Sequence, residues 1–219
     1  MTRVDLKEKV YTYLYGSIVN GVYLPEEAII EQEVSDKLGI SRTPVREALK
    51  KLEHEGLVTH MPSRGTFVRS VSAYDIEEIM ELRIMFETCA LRAAIKQLTD
   101  QELSKIESAL SKLSPESAME DFYAVDAKLH ALIMKCSGNR RMFNFHEMLS
   151  GQMKLFGRIS AQTPGRLVLS LDEHVQIVAA LRERDYKKAE EALVSHLENV
   201  KQSTLNVWNS MLMRPGTRL

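Results

Sequence analysis

The sequence predicts a mainly α-helical protein, in which an N-terminal winged helix-turn-helix precedes an all-helical bundle of about six helices. Two observations predict this fold class. Two short helices joined by a glycine turn are followed by two strand-like segments, which is the order of a winged helix-turn-helix. Beyond residue 74 only helical spacing of apolar residues is found. The chain has 219 residues, enough for one large or two small domains.

The N-terminal domain, residues 1–70, is predicted to hold three helices and a hairpin. The helices cover residues 5–20, Glu31–Leu38 and 41–55. Gly39 is of the type favoured just past a helix C-terminus, and Ser41 is a good N-cap for the third helix. Residues 57–59 and 66–68 are predicted strands, because the intervening 61–65 carries the Pro, Ser and Gly of a turn.

The second domain, residues 75–212, follows a predicted linker at 71–74 and precedes a tail at 213–219. Its helices are predicted at 75–97, 99–112, 115–137, 139–162, 170–184 and 186–212. Several begin at residues of helix-start type, namely Asp75, Thr99, Ser114 and Ser170.

Composition and charge limit the classes of protein to which this chain could belong. The net charge is −1, and residues 1–70 hold ten basic and ten acidic residues, so any case for DNA binding depends on where the charges lie. Cys89 and Cys136 cannot build a disulfide framework, which favours a reducing compartment. The N-terminus lacks the apolar region of a signal peptide, and no segment approaches the roughly 20 apolar residues of a membrane span. We therefore expect a cytoplasmic protein without a membrane partner.

The third helix has the residue types that read DNA. Arg42, Arg46 and Lys50 are spaced i, i+4, i+8 and form a row beside the apolar stripe. Ser41 and Thr43 lie with Arg42 at the helix N-terminus, the end that enters the major groove in helix-turn-helix proteins. Arginine bonds guanine bidentately, and hydroxyls with the first helical N–H groups suit phosphate.

The run from Ile18 through Val58 resembles the GntR family of bacterial regulators. The matching positions are Gly21, Tyr23, Pro25, Glu31, Leu38, Gly39, Ser41, Arg42, Thr43, Pro44, Val45, Arg46, Glu47, Ala48, Leu49, Leu52, Glu55, Gly56 and Leu57. The chain departs from the family at Glu26, often Gly there, and at Gln32, where some members place an arginine that reads a base. The resemblance implies DNA contacts from Arg42, Thr43, Arg46 and the wing-tip Gly65. With their neighbours, the predicted DNA-binding residues are Gln32, Ser41, Arg42, Thr43, Arg46, Lys50, Arg64 and Gly65.

Four residues of the second domain form a candidate metal site. Asp126 and His130 are i, i+4 and project from one helix face. His174 and His196 lie eleven residues before and after a predicted turn near Asp185, so antiparallel helices would bring them to one level, about 16 Å from the turn. Three histidines and a carboxylate suit Zn²⁺, Ni²⁺, Co²⁺, Fe²⁺ or Mn²⁺. By spacing alone, unrelated core or surface residues remain an open alternative.

The second domain resembles the FCD-type effector domain of the FadR branch of GntR regulators. The resemblance lies in ELRIMFETCALRAA (81–94), DAKLHALIMKCSGN (126–139), DEHVQIVAALRERD (172–185) and AEEALVSHL (189–197). It implies one divalent transition metal ion per chain, held by Asp126, His130, His174 and His196, and the six helices suggest the shorter, VanR-like subgroup. Open positions on the metal would take the carboxylate of a small effector.

Three further residues are candidate effector contacts. Arg83 could supply a charge-assisted bond to an acid, although a salt bridge within the protein is an equal alternative. Tyr123 and Asn139 are weaker candidates for the pocket.

The prediction for function is a homodimeric transcription regulator that binds a short palindromic operator in double-stranded DNA and senses a small carboxylate effector. Two alternatives stay open. One is a metal-dependent hydrolase that carries a DNA-binding domain, since an open metal site could activate water. The other is a regulator that senses the metal itself. The sequence does not identify the effector, the native metal or the sign of regulation.

Overall fold

The structure is a computed structural model that describes residues 3–212, so the predicted tail at 213–219 lies outside the described residues. The elements run α1 (Arg3–Val19), β1 (Ala28–Ile29), α2 (Glu31–Leu38), α3 (Arg42–His54), β2 (Val58–Met61), β3 (Gly65–Val68), α4 (Ala73–Gln97), α5 (Asp100–Leu110), α6 (Met119–Cys136), α7 (Arg140–Ser160), α8 (Arg166–Arg182) and α9 (Tyr186–Leu212). The mainly helical prediction is therefore confirmed.

The described chain divides into two units. The first comprises residues 3–72 together with Glu147–Leu155 of α7, and the second comprises Ala73–His146 together with residues 156–212. None of the helices within residues 3–212 is long and apolar enough to cross a lipid bilayer.

The first unit is built on the packing of α1 against α3. The apolar stripe of α3 is buried, with Val45, Ala48 and Leu52 fully inaccessible, and it meets Val10 and Leu14 of α1, which are also fully inaccessible. Burying large aliphatic side chains of this kind stabilises a fold by about 1.5–3 kcal/mol each. Helix α3 is thereby fixed by one face, and its opposite face, which carries Arg42, Arg46 and Lys50, is exposed.

The turn between α2 and α3 depends on glycine. Gly39 has a φ of 66°, in the left-handed region, and its N–H bonds the carbonyls of Ser35 and Asp36. A residue without Cβ adopts this conformation at little cost, and it ends α2 abruptly. Ser41 is the N-cap of α3, as predicted from its type, but its side chain makes no capping hydrogen bond.

The wing is a three-stranded antiparallel sheet in the order β1-β3-β2. In the hairpin Val58 pairs with Val68 and Met61 with Gly65, and residues 62–64 form the turn. The third strand, Ala28–Ile29, was not predicted, because two residues are too few to show an alternating pattern.

The second unit is a bundle in which α4 packs on α6 and α9, and α8 packs on α9. Thr99 begins α5 with a capping box, in which its side chain and that of Glu102 each accept from the other's backbone N–H. Several predicted starts differ from the structure. Helix α4 begins at Ala73, inside the predicted linker at 71–74. Helix α6 begins at Met119, since Ser114–Ser117 forms a turn, and α8 begins directly after Gly165.

Candidate metal centre and DNA-reading surface

Four of the predicted site residues converge in the second unit. Asp126 Oδ1 lies 3.5 Å from Nε2 of His130, 3.2 Å from Nε2 of His174 and 3.8 Å from Nε2 of His196. Their candidate ligand atoms all lie within 4.8 Å of one another. Zinc–nitrogen and zinc–oxygen bonds of about 2.0–2.2 Å place two ligands on one ion roughly 3–3.5 Å apart. The cluster therefore fits one ion with small adjustments.

The burial of these histidines also favours a metal. The Nε2 atoms of His130, His174 and His196 are buried and make no hydrogen bond within residues 3–212. Buried polar atoms in folded proteins rarely lack a partner, because each costs free energy. A single cation would satisfy all three at once.

The helix geometry explains the convergence. Asp126 and His130 lie one turn apart on α6, and His174 and His196 lie on the packed helices α8 and α9. The rings of His174 and His196 are 4.4 Å apart between centroids. The structure thus brings the two imidazoles to the common level that their equal spacing from residue 185 predicts.

Two carboxylates behind the cluster were missed by the sequence analysis. Glu87 bonds Nδ1 of His130, and Glu173 Oε2 lies 2.7 Å from Nδ1 of His196. Such partners fix the imidazole tautomer that leaves Nε2 free for a metal. A signal for Glu87 was available, since Arg83 and Glu87 form an i, i+4 pair on the buried side of α4.

The charges of these buried groups shift one another's pKa values. Burial works against the charge of Glu87, but His130 and Arg83 outweigh it and hold the pKa of Glu87 well below its usual range. Burial likewise opposes protonation of His130, yet Glu87 raises the pKa of His130 to about 9, so a metal that binds Nε2 of His130 must displace a proton. Burial, followed by the charge of His174, lowers the pKa of His196 to about 3. The imidazole of His196 is therefore neutral at pH 7, the form that binds a metal.

The predicted effector residues have other contacts in the structure. Arg83 is buried, and its Nε donates to Glu87 Oε1 at 2.7 Å. Tyr123 donates its hydroxyl to Met119 Sδ at 3.1 Å. Asn139 is the N-cap of α7, where its side-chain oxygen accepts from the Met142 N–H at 3.1 Å. Of the three, Arg83 is joined to the cluster, through Glu87 and His130.

On the first unit, the predicted DNA-reading arginines share one acidic partner. Glu31, the first residue of α2, accepts from Arg42 Nη2 at 2.7 Å and from Arg46 Nε at 2.8 Å. Both arginine side chains are about half exposed. Lys50 lines a cleft with Glu31, Arg46 and His60. From the sequence, Glu31 is one of the positions that match the GntR family, and its pairing with the two arginines was not predicted.

The other predicted DNA contacts occupy α2 and the wing. Gln32 Nε2 donates to Asp36 Oδ1 at 2.8 Å. The guanidinium of Arg64 lies 5.6 Å from the ring centroid of Phe67. Gly65 has a φ of 110°, which only glycine adopts readily, so the wing tip requires it.

Comparison with known families accounts for both units. The family of bacterial regulatory proteins called the gntR family matches residues 6–68, and the FCD domain matches residues 78–199. The chain belongs to the GntR family of regulators and carries an FCD domain. Its relatives and domains are those of transcription regulators and not of enzymes, which leaves the hydrolase alternative without support.

Individual relatives agree with this assignment. The HTH-type transcriptional repressor RspR of Escherichia coli is 26% identical over 205 residues, which cover 92% of this chain and 90% of RspR. The solved structure of E. coli McbR/YncC has a TM-score of 0.75 at 23% identity and covers 94% of this chain and 98% of that one, which supports the fold. The Zn²⁺-bound FCD domain of TM0439 has a TM-score of 0.57 at 27% identity and covers 64% of this chain and 99% of that one.

Proposed function

We propose that this GntR regulator controls transcription through a metal-dependent response to a small organic or sugar acid. The observation that carries the proposal is the group of three buried histidine Nε2 atoms around the Asp126 carboxylate. We assign the four residues as ligands of one divalent transition metal ion per chain, from among zinc, nickel, manganese, iron and cobalt. The zinc in the FCD domain of TM0439 supports a metal in this class of domain.

The ion, when bound, acts as a Lewis acid with positions open to a carboxylate oxygen. Three buried histidines and one carboxylate leave such positions on a five- or six-coordinate ion. The Asp126 side chain is 32% exposed, so the cluster is reached from solvent on the Asp126 side.

DNA binding is assigned to α2, α3 and the wing. One recognition helix offers few base contacts, so we propose that a homodimer reads a palindrome with two half-sites. Helix α4 supports this assembly, because Leu82, Met85 and Cys89 are exposed along one face of it. Exposed contiguous apolar side chains mark interaction surfaces.

The effector is proposed to shift the protein between states that differ in operator affinity. A ligand does so only by its differential affinity for the two states, typically 1–3 kcal/mol of coupling. The alternative of a regulator that senses the metal itself differs in one respect, since the ion alone would then change operator affinity.

The test is a thermal-shift screen of organic and sugar acids, followed by titration of operator DNA. An effector raises Tm by mass action in the metal-loaded protein, and a chelator abolishes that rise. The same acid changes operator affinity, and operator changes acid affinity by the same factor. Equal acid affinities for free and operator-bound protein would contradict control by that acid.

A further inference from the structure

Arg166, the first residue of α8, is a buried arginine whose guanidinium is only partly paired. Its side chain is 5% exposed, and its Nη2 donates to Glu173 Oε2 at 2.8 Å. Nε and Nη1 are buried as well and make no hydrogen bond to any residue between 3 and 212. These two nitrogens carry three of the five N–H donors of the guanidinium.

The contact with Glu173 does not by itself explain this arginine. Glu173 already accepts from His196 Nδ1 at 2.7 Å and from Asn199 Nδ2 at 2.9 Å, so its carboxylate has neutral donors on both oxygens. A buried cation with unused donors costs folding free energy, and native proteins seldom leave such donors without an acceptor. An anionic oxygen from outside the chain would satisfy them.

The position of Arg166 relates it to the candidate metal centre. The same atom, Glu173 Oε2, accepts from both Arg166 and His196, and the other ring nitrogen of His196 faces Asp126. With an ion about 2 Å from that nitrogen, the guanidinium lies roughly 5–10 Å from the ion. Two carboxylates joined by about two to four carbon atoms span such a separation.

We propose that Arg166 is the second anchor of the effector site and that the effector is a dicarboxylic acid. One carboxylate of the acid coordinates the ion, and the other accepts charge-assisted hydrogen bonds from Arg166. Nε and Nη1 lie on different edges of the planar group, so the second carboxylate bonds one of these two nitrogens. This inference rests on the proposed function, because it assumes that an acid binds at the metal.

The experiment compares acids of equal length by calorimetric titration into the full-length, zinc-loaded protein. The matched pairs are succinate with butyrate, glutarate with pentanoate, and adipate with hexanoate. At least one dicarboxylate is expected to bind about tenfold or more tightly than its partner, the effect of one or two charge-assisted bonds. In Arg166→Gln that ratio falls to about two or less, while the affinity for the monocarboxylates stays within about threefold of wild type.

Two control variants separate ligand binding from the positioning of Glu173. Glu173→Gln weakens the support of His196 and is expected to lower zinc affinity about 10–100-fold, measured by competition with a chromophoric chelator. At saturating zinc it keeps the preference for the dicarboxylate, since Arg166 is still present. Arg166→Lys keeps the charge without the planar fork and gives an intermediate preference, and it serves as the test should the Gln variant fail to fold.

The outcomes distinguish this inference from the proposed function. If Arg166→Gln weakens binding of both acids of a pair equally, or if the wild-type protein does not prefer the dicarboxylate, Arg166 is not the second anchor. Neither result contradicts the proposed function. A preference that depends on Arg166 but survives chelation supports the anchor and overturns metal coordination of the acid. If none of the six acids binds the zinc-loaded protein, the inference of a dicarboxylic effector fails, while the proposed function is decided separately by the thermal-shift screen of organic and sugar acids.

Discussion

Glu31 holds Arg46 in the DNA-free protein, with Arg46 Nε 2.8 Å from Glu31 Oε2. The same carboxylate oxygen accepts from Arg42 Nη2 at 2.7 Å, so one acidic residue of α2 orders two cations of α3. The pKa of Glu31 lies below its ordinary value, because bonds to Arg42 and Arg46 outweigh its partial burial. If the two arginines contact DNA as we propose, they are ordered before binding, and part of their side-chain entropy is already lost.

Replacing Glu31 by Gln is expected to reduce operator specificity. Removing a negative charge strengthens non-specific binding to DNA phosphates, while the freed arginines lose their order. We expect the ratio of operator to non-specific affinity to fall by about tenfold, measured by fluorescence anisotropy at two salt concentrations. Glu33→Gln, an exposed change of the same charge on α2, is the control. Equal effects in both variants would show that net charge alone matters.

Arg46→Ala is expected to weaken operator binding by about 1–3 kcal/mol per half-site, as the loss of a base contact does. Lys50→Ala should instead weaken binding to all DNA sequences to a similar degree, because a lysine that contacts phosphate does not distinguish one base from another. Binding of operator and scrambled DNA to each variant distinguishes the two roles. If the double variant Arg42→Ala, Arg46→Ala keeps near-wild-type affinity for the operator, α3 is not the helix that binds it.

The metal assignment predicts about one ion per purified chain by elemental analysis. His174→Ala should lower metal content and Tm together, since the binding free energy adds to the free energy of unfolding. His54→Ala is the matched control, because His54 is exposed at the end of α3. Unchanged metal content in both His174→Ala and His196→Ala would place the site elsewhere.

Tyr11→Phe is expected to destabilise the first unit by about 1–3 kcal/mol. The Tyr11 hydroxyl donates to the buried carboxylate of Glu55 at 2.7 Å, and burial together with this bond raises the pKa of Tyr11. Its loss leaves a buried carboxylate short of a donor. Denaturant unfolding measures the change. Tyr74→Phe, at a residue 76% exposed, should change the free energy of unfolding by less than about 0.5 kcal/mol.

Met85→Glu tests the proposed dimer surface. Met85 is 55% exposed on the apolar face of α4, and a charge buried between two copies would lack a partner. Light scattering should show a smaller assembly for this variant. Val22→Glu, at a residue 62% exposed in the first unit, should leave the assembly unchanged. A Met85→Glu protein of wild-type mass would exclude this face of α4 as the interface.

The sequence predicted those parts of the molecule that depend on local spacing. The i, i+4 relation of Asp126 and His130 is a property of any helix, and equal distances from one turn place His174 and His196 at a common level. Spacing therefore nominated these four residues as a candidate cluster, and the resemblance to the FCD domain implied that they are metal ligands. The buried stripe of α3 followed from the same periodicity.

The parts that could not be predicted depend on side-chain conformations and on long-range packing. Glu173 adjoins His174 in sequence, yet it supports His196, because its side chain turns toward α9. Helix packing decides which of several acidic residues contacts a given imidazole. The spacing of residues along the sequence carries no information about that packing. Arg166 could not be placed on a helix from the sequence, because the predicted start of that helix, Ser170, lies four residues after the observed one.

The exposed fraction of each proposed ligand has a kinetic consequence. The Asp126 side chain is 32% exposed, whereas those of His130, His174 and His196 are 5% exposed or less. If these residues hold an ion as we propose, Asp126 is the ligand that a competing chelator meets first, because the three imidazoles are enclosed by the protein. Exchange of the ion would then depend on movement of one carboxylate on α6, with no opening of the helical bundle.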